Sequence, residues 1–356
     1  MIALQYGQMI ENYKFPNDYR GVIHLHSELS PDSNGKFENI VKAAKNNQTD
    51  FVVITDHWLP ELYEKSKRGF FGNTLFIAGA EISKNEGITI LAIPLPKDFV
   101  PKENWKNNVI SLHEKGSLAL ADHIEFSETS ELLAFDGIEI INLHAHILQR
   151  SKIDLVLTYF QALWPWNWNL AYIFNDVPNL PRWRYLSQSV KISAFAGNDS
   201  HDNYRLFYKI GPKLGSYDNT FKLLTTHIWA DELSESSVIE AVKNGQSYFA
   251  FEIFGNSKGF RFYATSDTEV FLPGSIITPK IGENKRVIQT TLTIQSPPHE
   301  NPKNTALRIL KNGKVIKEGK GILLNAQVFE PGIYYAEIWR NQKPWIFSNP
   351  IQIRPY

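Results

Sequence analysis

Short apolar runs alternate with helical patterns from Gly21 to about Gly197. Gly21–Leu25, Phe51–Thr55, Leu75–Ala80, Ile88–Ile93, Leu118–Ala121, Gly137–Ile141 and Ile192–Ala196 read as strands. Between the first two, Phe37, Ile40, Val41 and Ala44 share one helical face, and Glu38 and Lys42 pair at i,i+4. Strands this uniformly apolar, separated by helices, predict a parallel sheet covered on both faces. The number of β/α units favours a barrel over an open sheet, although spacing alone leaves both open. A last helix is expected over Ser234–Asn244, with Ser234 as N-cap and Gly245 as the terminating glycine.

After about Phe254 the texture changes to short alternating runs at Thr291–Ile294, Ala306–Leu310, Val315–Lys317, Ile333–Trp339 and Ile351–Arg354. Asn312-Gly313 is a hairpin turn signal and Pro331-Gly332 marks another turn. The expected organisation is therefore an α/β unit over residues 1–254 and a small all-β, sandwich-like module over 255–356.

Composition narrows the chemistry. The chain has 356 residues, 43% of them hydrophobic, enough for a sizeable core. Its formal net charge is zero, so no nucleic-acid partner is expected from charge. There is no cysteine, which excludes disulfides and thiolate metal sites and leaves imidazole and carboxylate as ligands. The start has no basic region ahead of its weak apolar stretch and does not read as a signal peptide. That suggests a cytoplasmic protein as it stands, with an exported form whose leader has been removed left open. Leu155–Asn175 carries no charge, but Gln161, Pro165, Asn167 and Asn169 argue for buried helices or a pocket wall over a membrane span. Trp164, Trp166 and Trp168 within it suit core packing or a pocket for a ring-bearing substrate.

The histidines and acids fall at the strand ends. His24 and His26 end the first strand, where alternation points both to one side. Asp32 follows in the next loop, His57 ends the second strand, Glu81 the third, His123 follows Leu118–Ala121, and Asp199 and His201 follow Ile192–Ala196. In a β/α barrel the C-terminal strand ends are where active sites assemble. The set His24, His26, Asp32, His57, Glu81, His123, Asp199 and His201 is too large for one tetrahedral ion. It points to two or three divalent cations, zinc, manganese or iron, with a bridging carboxylate. His113, His227 and His299 have no such company and read as structural. His144 and His146 repeat the His-x-His spacing but also favour a structural role.

These residues resemble the PHP family, the phosphoesterase domain named after polymerases and histidinol phosphatases. The likeness runs through His24-Leu25-His26-Ser27, Ser30-Pro31-Asp32-Ser33, Ile54-Thr55-Asp56-His57, Gly79-Ala80-Glu81-Ile82-Ser83, Ala121-Asp122-His123, Gly137-Ile138-Glu139-Ile140-Ile141-Asn142 and Gly197-Asn198-Asp199-Ser200-His201, from about Tyr19 to Phe254. It implies a distorted (β/α)7 barrel with up to three metals. His24, His26, Glu81 and Asp199 would hold one ion. Glu81 would bridge to a second that His123 also binds, and Asp32, His57 and His201 would hold a third. Asp56 would orient a neighbouring ligand. Residues Glu240–Tyr248 and Trp345–Ile351 resemble the carbaryl-hydrolase-like branch, which places the β module within that layout. One departure is Ile88, standing where many members carry a ligand histidine. It leaves the second ion Glu81 and His123, with Asn142 or a water to complete it, and favours two firmly held ions over three.

The function these features imply is hydrolysis of a small-molecule phosphoester by a metal-bound hydroxide. His57 or His201 would move a proton if not fully committed as ligands. Arg182, Arg184 and Arg205 are candidates for contact with an anionic substrate, against the plainer reading of surface ion pairs. A carbamate, ester or amide hydrolase on the same ions is the rival enzyme class, with an acyl substrate. A third reading is a non-catalytic barrel that binds metal, glycan or a protein partner. Oligomeric state is not indicated.

Overall fold

The computed structural model describes residues 13–83, 88–124, 127–149, 176–203, 205–207, 210–213, 215–280, 289–299 and 302–355. Leu155–Asn175 with its tryptophans lies outside them, as does the side chain of Arg205. Among the described residues no helix is long and apolar enough to cross a membrane.

Strand β1 (Asn17–Leu25) runs parallel to β2 (Phe51–Ile54), and β2 to β3 (Thr74–Ala78). Past Gly79 the chain resumes as β4 (Ala80–Ser83). Strand β4 pairs antiparallel with β5 (Thr89–Ile93), and β5 antiparallel with β6 (Leu118–Asp122). Strand β6 is parallel to β7 (Gly137–Asn142), β7 to β8 (Ser193–Ser200), and β8 to the end of β1. The other end of β1 pairs antiparallel with β9 (Leu224–Ala230), which pairs antiparallel with β10 (Ser247–Phe251). The protein is therefore mixed α/β with one large mixed sheet, not the all-parallel sheet that the alternation predicts. The reversal at β5 leaves no trace in apolar patterning, because a strand buried on both faces reads alike in either direction, and β9 and β10 are not among the expected strands.

Alternate residues of these strands enter different cores. Leu91, Leu118 and Leu120 pack with Ile23, Phe51, Val53, Leu75 and Phe195. Ile88, Ile90, Ala119 and Ala121 pack with Ile82, Ile138 and Ile140 on the other face. The helix Phe37–Asn46 covers β1, β2 and β3 through Phe37, Ile40, Ala43 and Ala44. The expected helix near 234 runs Glu235–Asn244. The Ser234 side chain accepts from the Ser237 N–H, and Gly245 closes it at φ 71°, which L side chains avoid.

Strand β10 also pairs with Lys343–Ser348, so the large sheet continues past Phe254 into Thr305–Lys311, Lys314–Lys320, Gly332–Arg340 and Ile351–Ile353. Asn312 and Gly313, at φ 50° and 81°, make the turn expected there. A separate antiparallel sheet orders Glu269–Phe271, Arg261–Ser266, Thr290–Gln295 and Leu323–Val328. Its Phe262, Ala264, Leu292 and Ile294 share a core with Leu307, Ile309 and Ile338.

Asn349 fastens the C-terminal strands to β8. It is fully buried, its Oδ1 accepts from the Ala194 N–H at 2.8 Å, and its Nδ2 donates to Ala194 O at 2.9 Å and Ser247 Oγ at 2.8 Å. Asn349→Ala strands these buried partners, each costing about 1–3 kcal/mol. Chemical denaturation should therefore show a loss of about 2–4 kcal/mol. A loss below about 1 kcal/mol would mean the amide fastens nothing.

Candidate metal centre

The strand ends of β1, β2, β4, β6 and β8 bring the eight sequence-selected residues into one region. His24 and His26 are fully buried, Glu81 and Asp199 nearly so, His57 and His123 are half-buried, and Asp32 is exposed. His26 Nε2 stands 3.1 Å from Glu81 Oε2 and 3.2 Å from Asp199 Oδ1. His24 Nε2 stands 3.5 Å from each of the same two carboxylates. Asp32 Oδ2 lies 3.0 Å from His57 Nε2 and 3.1 Å from His201 Nε2. The ligand atoms of His26, Asp32, His57 and His201 lie close enough together to hold a cation, as do those of His24, His26 and Glu81.

The backbone is bent to achieve this. His24, His123 and Asp199 have φ values of 66°, 48° and 48°, a region costly for residues other than glycine. At His24 the pairing of β1 with β8 also shifts register. Such an irregularity re-aims a side chain, so the simple alternation expected for His24 and His26 does not describe this strand end. Strand β8 runs on through Asp199, which lies within the strand and not after it.

Each buried imidazole is oriented from behind. The Ser30 hydroxyl donates to Asp56 Oδ1 at 2.7 Å, and its oxygen accepts the His57 N–H at 3.0 Å. Ser30 Oγ also lies 3.0 Å from His26 Nδ1, and with its own proton given to Asp56 it accepts there too. Asp56 thus orients His26 through Ser30. His201 Nδ1 donates to the Asp199 carbonyl at 2.8 Å, and His24 Nδ1 meets Glu139 Oε1 at 2.8 Å. With Nδ1 engaged in this way, all three rings turn Nε2 toward the carboxylates, the orientation a metal ligand requires. Neither His24 Nε2 nor His26 Nε2 makes a hydrogen bond, although both are buried. Imidazole and carboxylate donors with orphaned, inward-facing nitrogens fit divalent cations such as zinc, manganese or iron.

Two buried acids stand in the family-like motifs but received no role from the sequence. Asp122 and Glu139 lie within apolar strands, and their ligand atoms group with those of His24. Their signal was a carboxylate inside an otherwise apolar run, which is costly to bury without a partner. Gly197 makes room for Glu139, because a Cβ there would sit 1.5 Å from Glu139 Oε1. Asp122, Glu81 and His123 form another group of closely spaced ligand atoms.

The remaining candidates are placed differently. Asn142 is buried, caps the following helix by accepting the Ala145 N–H at 2.9 Å, and its Nδ2 lies 3.5 Å from Asp122 Oδ1. Arg182 binds the carbonyls of Ile124 and Ser127, just beyond His123, and Thr129 Oγ1 at 3.2 Å. Arg184 pairs with Glu337. His113 pairs with Asp136, His227 with Asp18 and Glu252, and His299 contacts Pro297 O and Thr305 Oγ1. His144 packs its ring 5.1 Å from that of His201, at the edge of the centre.

No family model matches the chain. Over 144 residues it is 30% identical to an uncharacterized protein of Methanocaldococcus jannaschii, a stretch covering 34% of this chain and 81% of that protein. The chain belongs to the same family as that archaeal protein. The relative brings no activity with it, so the chemistry rests on the centre itself.

Burial opposes charge on His26, but the carboxylates of Asp199 and Glu81 outweigh it and raise its pKa to about 9. Burial likewise opposes charge on His24, and Asp122, Glu139 and Asp199 together push it well above the ordinary 6.5. Without a cation, the extra protons hold the carboxylates together. For raised groups this stabilisation is complete below about pH 6.5 and lost as pH climbs through about 9. Metal-free protein should therefore lose thermal stability from pH 7 to 10, and cation binding should tighten and release protons over that range. Thermal unfolding and calorimetry in buffers of different ionisation enthalpy check both. Binding without proton release would contradict the assignment.

Proposed function

We propose that the protein is a metal-dependent hydrolase acting on small phosphoesters, built on a distorted (β/α)7 PHP-type barrel with a C-terminal β-sandwich. The pairings of β1 through β3 and of β4 through β8 back to β1, joined where the chain runs from β3 into β4 across Gly79, support the barrel, and the two packed C-terminal sheets support the sandwich. The observation that carries the function is the pair of buried, unbonded nitrogens, His24 Nε2 and His26 Nε2, facing Glu81 and Asp199. So concentrated a set of ligands serves a cluster of cations better than a single structural ion.

His24, His26, Glu81 and Asp199 would hold one cation, and Asp32, His57 and His201 another. When bound, such ions lower the pKa of coordinated water and neutralise phosphoryl charge. The protein supplies the rest. Asp56, Ser30 and Glu139 fix the imidazoles, and the apolar strand interior beneath keeps water from that side. His57 stands at the open edge, its side chain 30% exposed against Asp32, where it would hold the outer cation within reach of substrate. A phosphoester ranks above an acyl substrate because a cluster that would hold more than one cation suits the greater negative charge of a phosphoryl group.

Metal-loaded protein is predicted to hydrolyse p-nitrophenyl phosphate or its bis-ester, with chelation and Asp199→Asn each lowering the rate by roughly 10³-fold or more, in line with losing electrostatic stabilisation of the transition state. Turnover of p-nitrophenyl acetate or a carbamate, with both phosphates untouched in manganese, zinc and iron, would replace the phosphoesterase reading. Inertness toward every substrate would remove the hydrolase reading.

A further inference from the structure

Antiparallel register shows which residues of β5 face the centre. Glu81 is opposite Leu91, and Asp122 is opposite Thr89, so Glu81, Leu91, Thr89 and Asp122 share one face. Leu91 belongs to the inner core with Leu120, whereas Ile88 packs with Ile82 and Ile90 on the other face. Ile88 therefore points away from the centre, and the residue of this strand that fronts it is Thr89. The gap expected at Ile88 is a threonine position facing an aspartate.

Asp122 is fully buried at the end of β6. Its Oδ1 accepts the His123 N–H at 2.6 Å. Its Oδ2 makes no hydrogen bond, although no water reaches it. That oxygen lies 3.4 Å from His123 Nε2 and 3.6 Å from His24 Nδ1. His24 Nδ1 is already committed to Glu139 at 2.8 Å. Asp122 therefore faces the Glu139 carboxyl, which burial and Asp122 itself hold well above the usual carboxylate range, on one side and His123 and Glu81 on the other. A carboxylate oxygen in a dry interior is costly unless a proton or a cation meets it, and on the side of His123 and Glu81 only a cation can.

We propose that Asp122 completes a further divalent-cation site with Glu81 and His123, supplying across the strand pair the ligand that β5 lacks. This rests on the metal-centre reading above and adds a ligand to it. The site would carry two carboxylates and one imidazole. Its donors are harder than those of the neighbouring His24/His26 position, so its preference for zinc over manganese or iron(II) should be weaker. Glu81, which also faces His24 and His26, would be the carboxylate shared between the two ions.

The test is manganese binding by titration calorimetry and elemental analysis on full-length protein, comparing wild type with Asp122→Asn. The amide keeps the shape and the bond from the His123 N–H. One manganese equivalent fewer in a folded Asp122→Asn protein, with the remaining equivalents nearly unchanged, is the expected result. An unchanged number of ions, with affinity lowered only by the roughly 10–100-fold typical of an outer hydrogen-bond partner, would overturn the proposal. If wild type binds no manganese, zinc or iron, the metal-centre reading itself fails, an outcome separate from either of these. Should Asp122→Asn not fold, Asp122→His serves instead. It should retain the full number of ions and move preference toward zinc, and a folded Asp122→His protein lacking one equivalent would overturn the assignment.

Discussion

The structure turns on the meeting of His24 and His26 with Glu81 and Asp199 inside the sheet. Burying carboxylates costs several kcal/mol each unless charge of the opposite sign meets them. Here the only cationic groups within reach among the described residues are imidazoles, which are charged only when protonated. At neutral pH that arrangement competes with a divalent cation for the same space. Ser30 and Asp56 behind His26, and Glu139 behind His24, fix ring orientations that suit a cluster able to hold a cation and gain little for a purely structural ion pair.

The fold bears a backbone cost for this meeting. Three of the converging residues, His24, His123 and Asp199, sit at positive φ, and a register shift interrupts β1 at His24. Each such conformation costs on the order of 1–3 kcal/mol and persists only where the surroundings over-determine it. Gly197 belongs to the same economy of space, since any side chain there would displace Glu139. Strain gathered where the ligands converge is what a functional centre leads one to expect, and the apolar cores on both faces of the strands hold it in place.

Much of this was legible in the sequence. Apolar runs ending in His, Asp or Glu located the strand ends where the His/Asp/Glu clusters gather, and the helix caps at Ser234 and Gly245 fell where local chemistry put them. What stayed hidden depends on partners distant in sequence. The direction of β5 is invisible in its apolar pattern, and without that direction Ile88 and Thr89 exchange roles. Asp122 and Glu139 stood inside the family-like motifs without a role, because their meaning lies in His24, over a hundred positions away for Glu139. The strands Leu224–Ala230 and Ser247–Phe251 escaped because Thr225, Thr226, His227 and Ser247 dilute the apolar signal, although all are buried. Arg182 looked available to an anion until its bonds to the carbonyls of Ile124 and Ser127 were seen.

The most direct test of the central claim is elemental analysis of the protein purified without added metal, with His24→Ala as the control. Two or more equivalents of manganese, iron or zinc per chain in the wild type, falling by at least one in the variant, is the predicted result. A wild-type protein that carries no transition metal, and takes up none when manganese, iron and zinc are supplied, would contradict it.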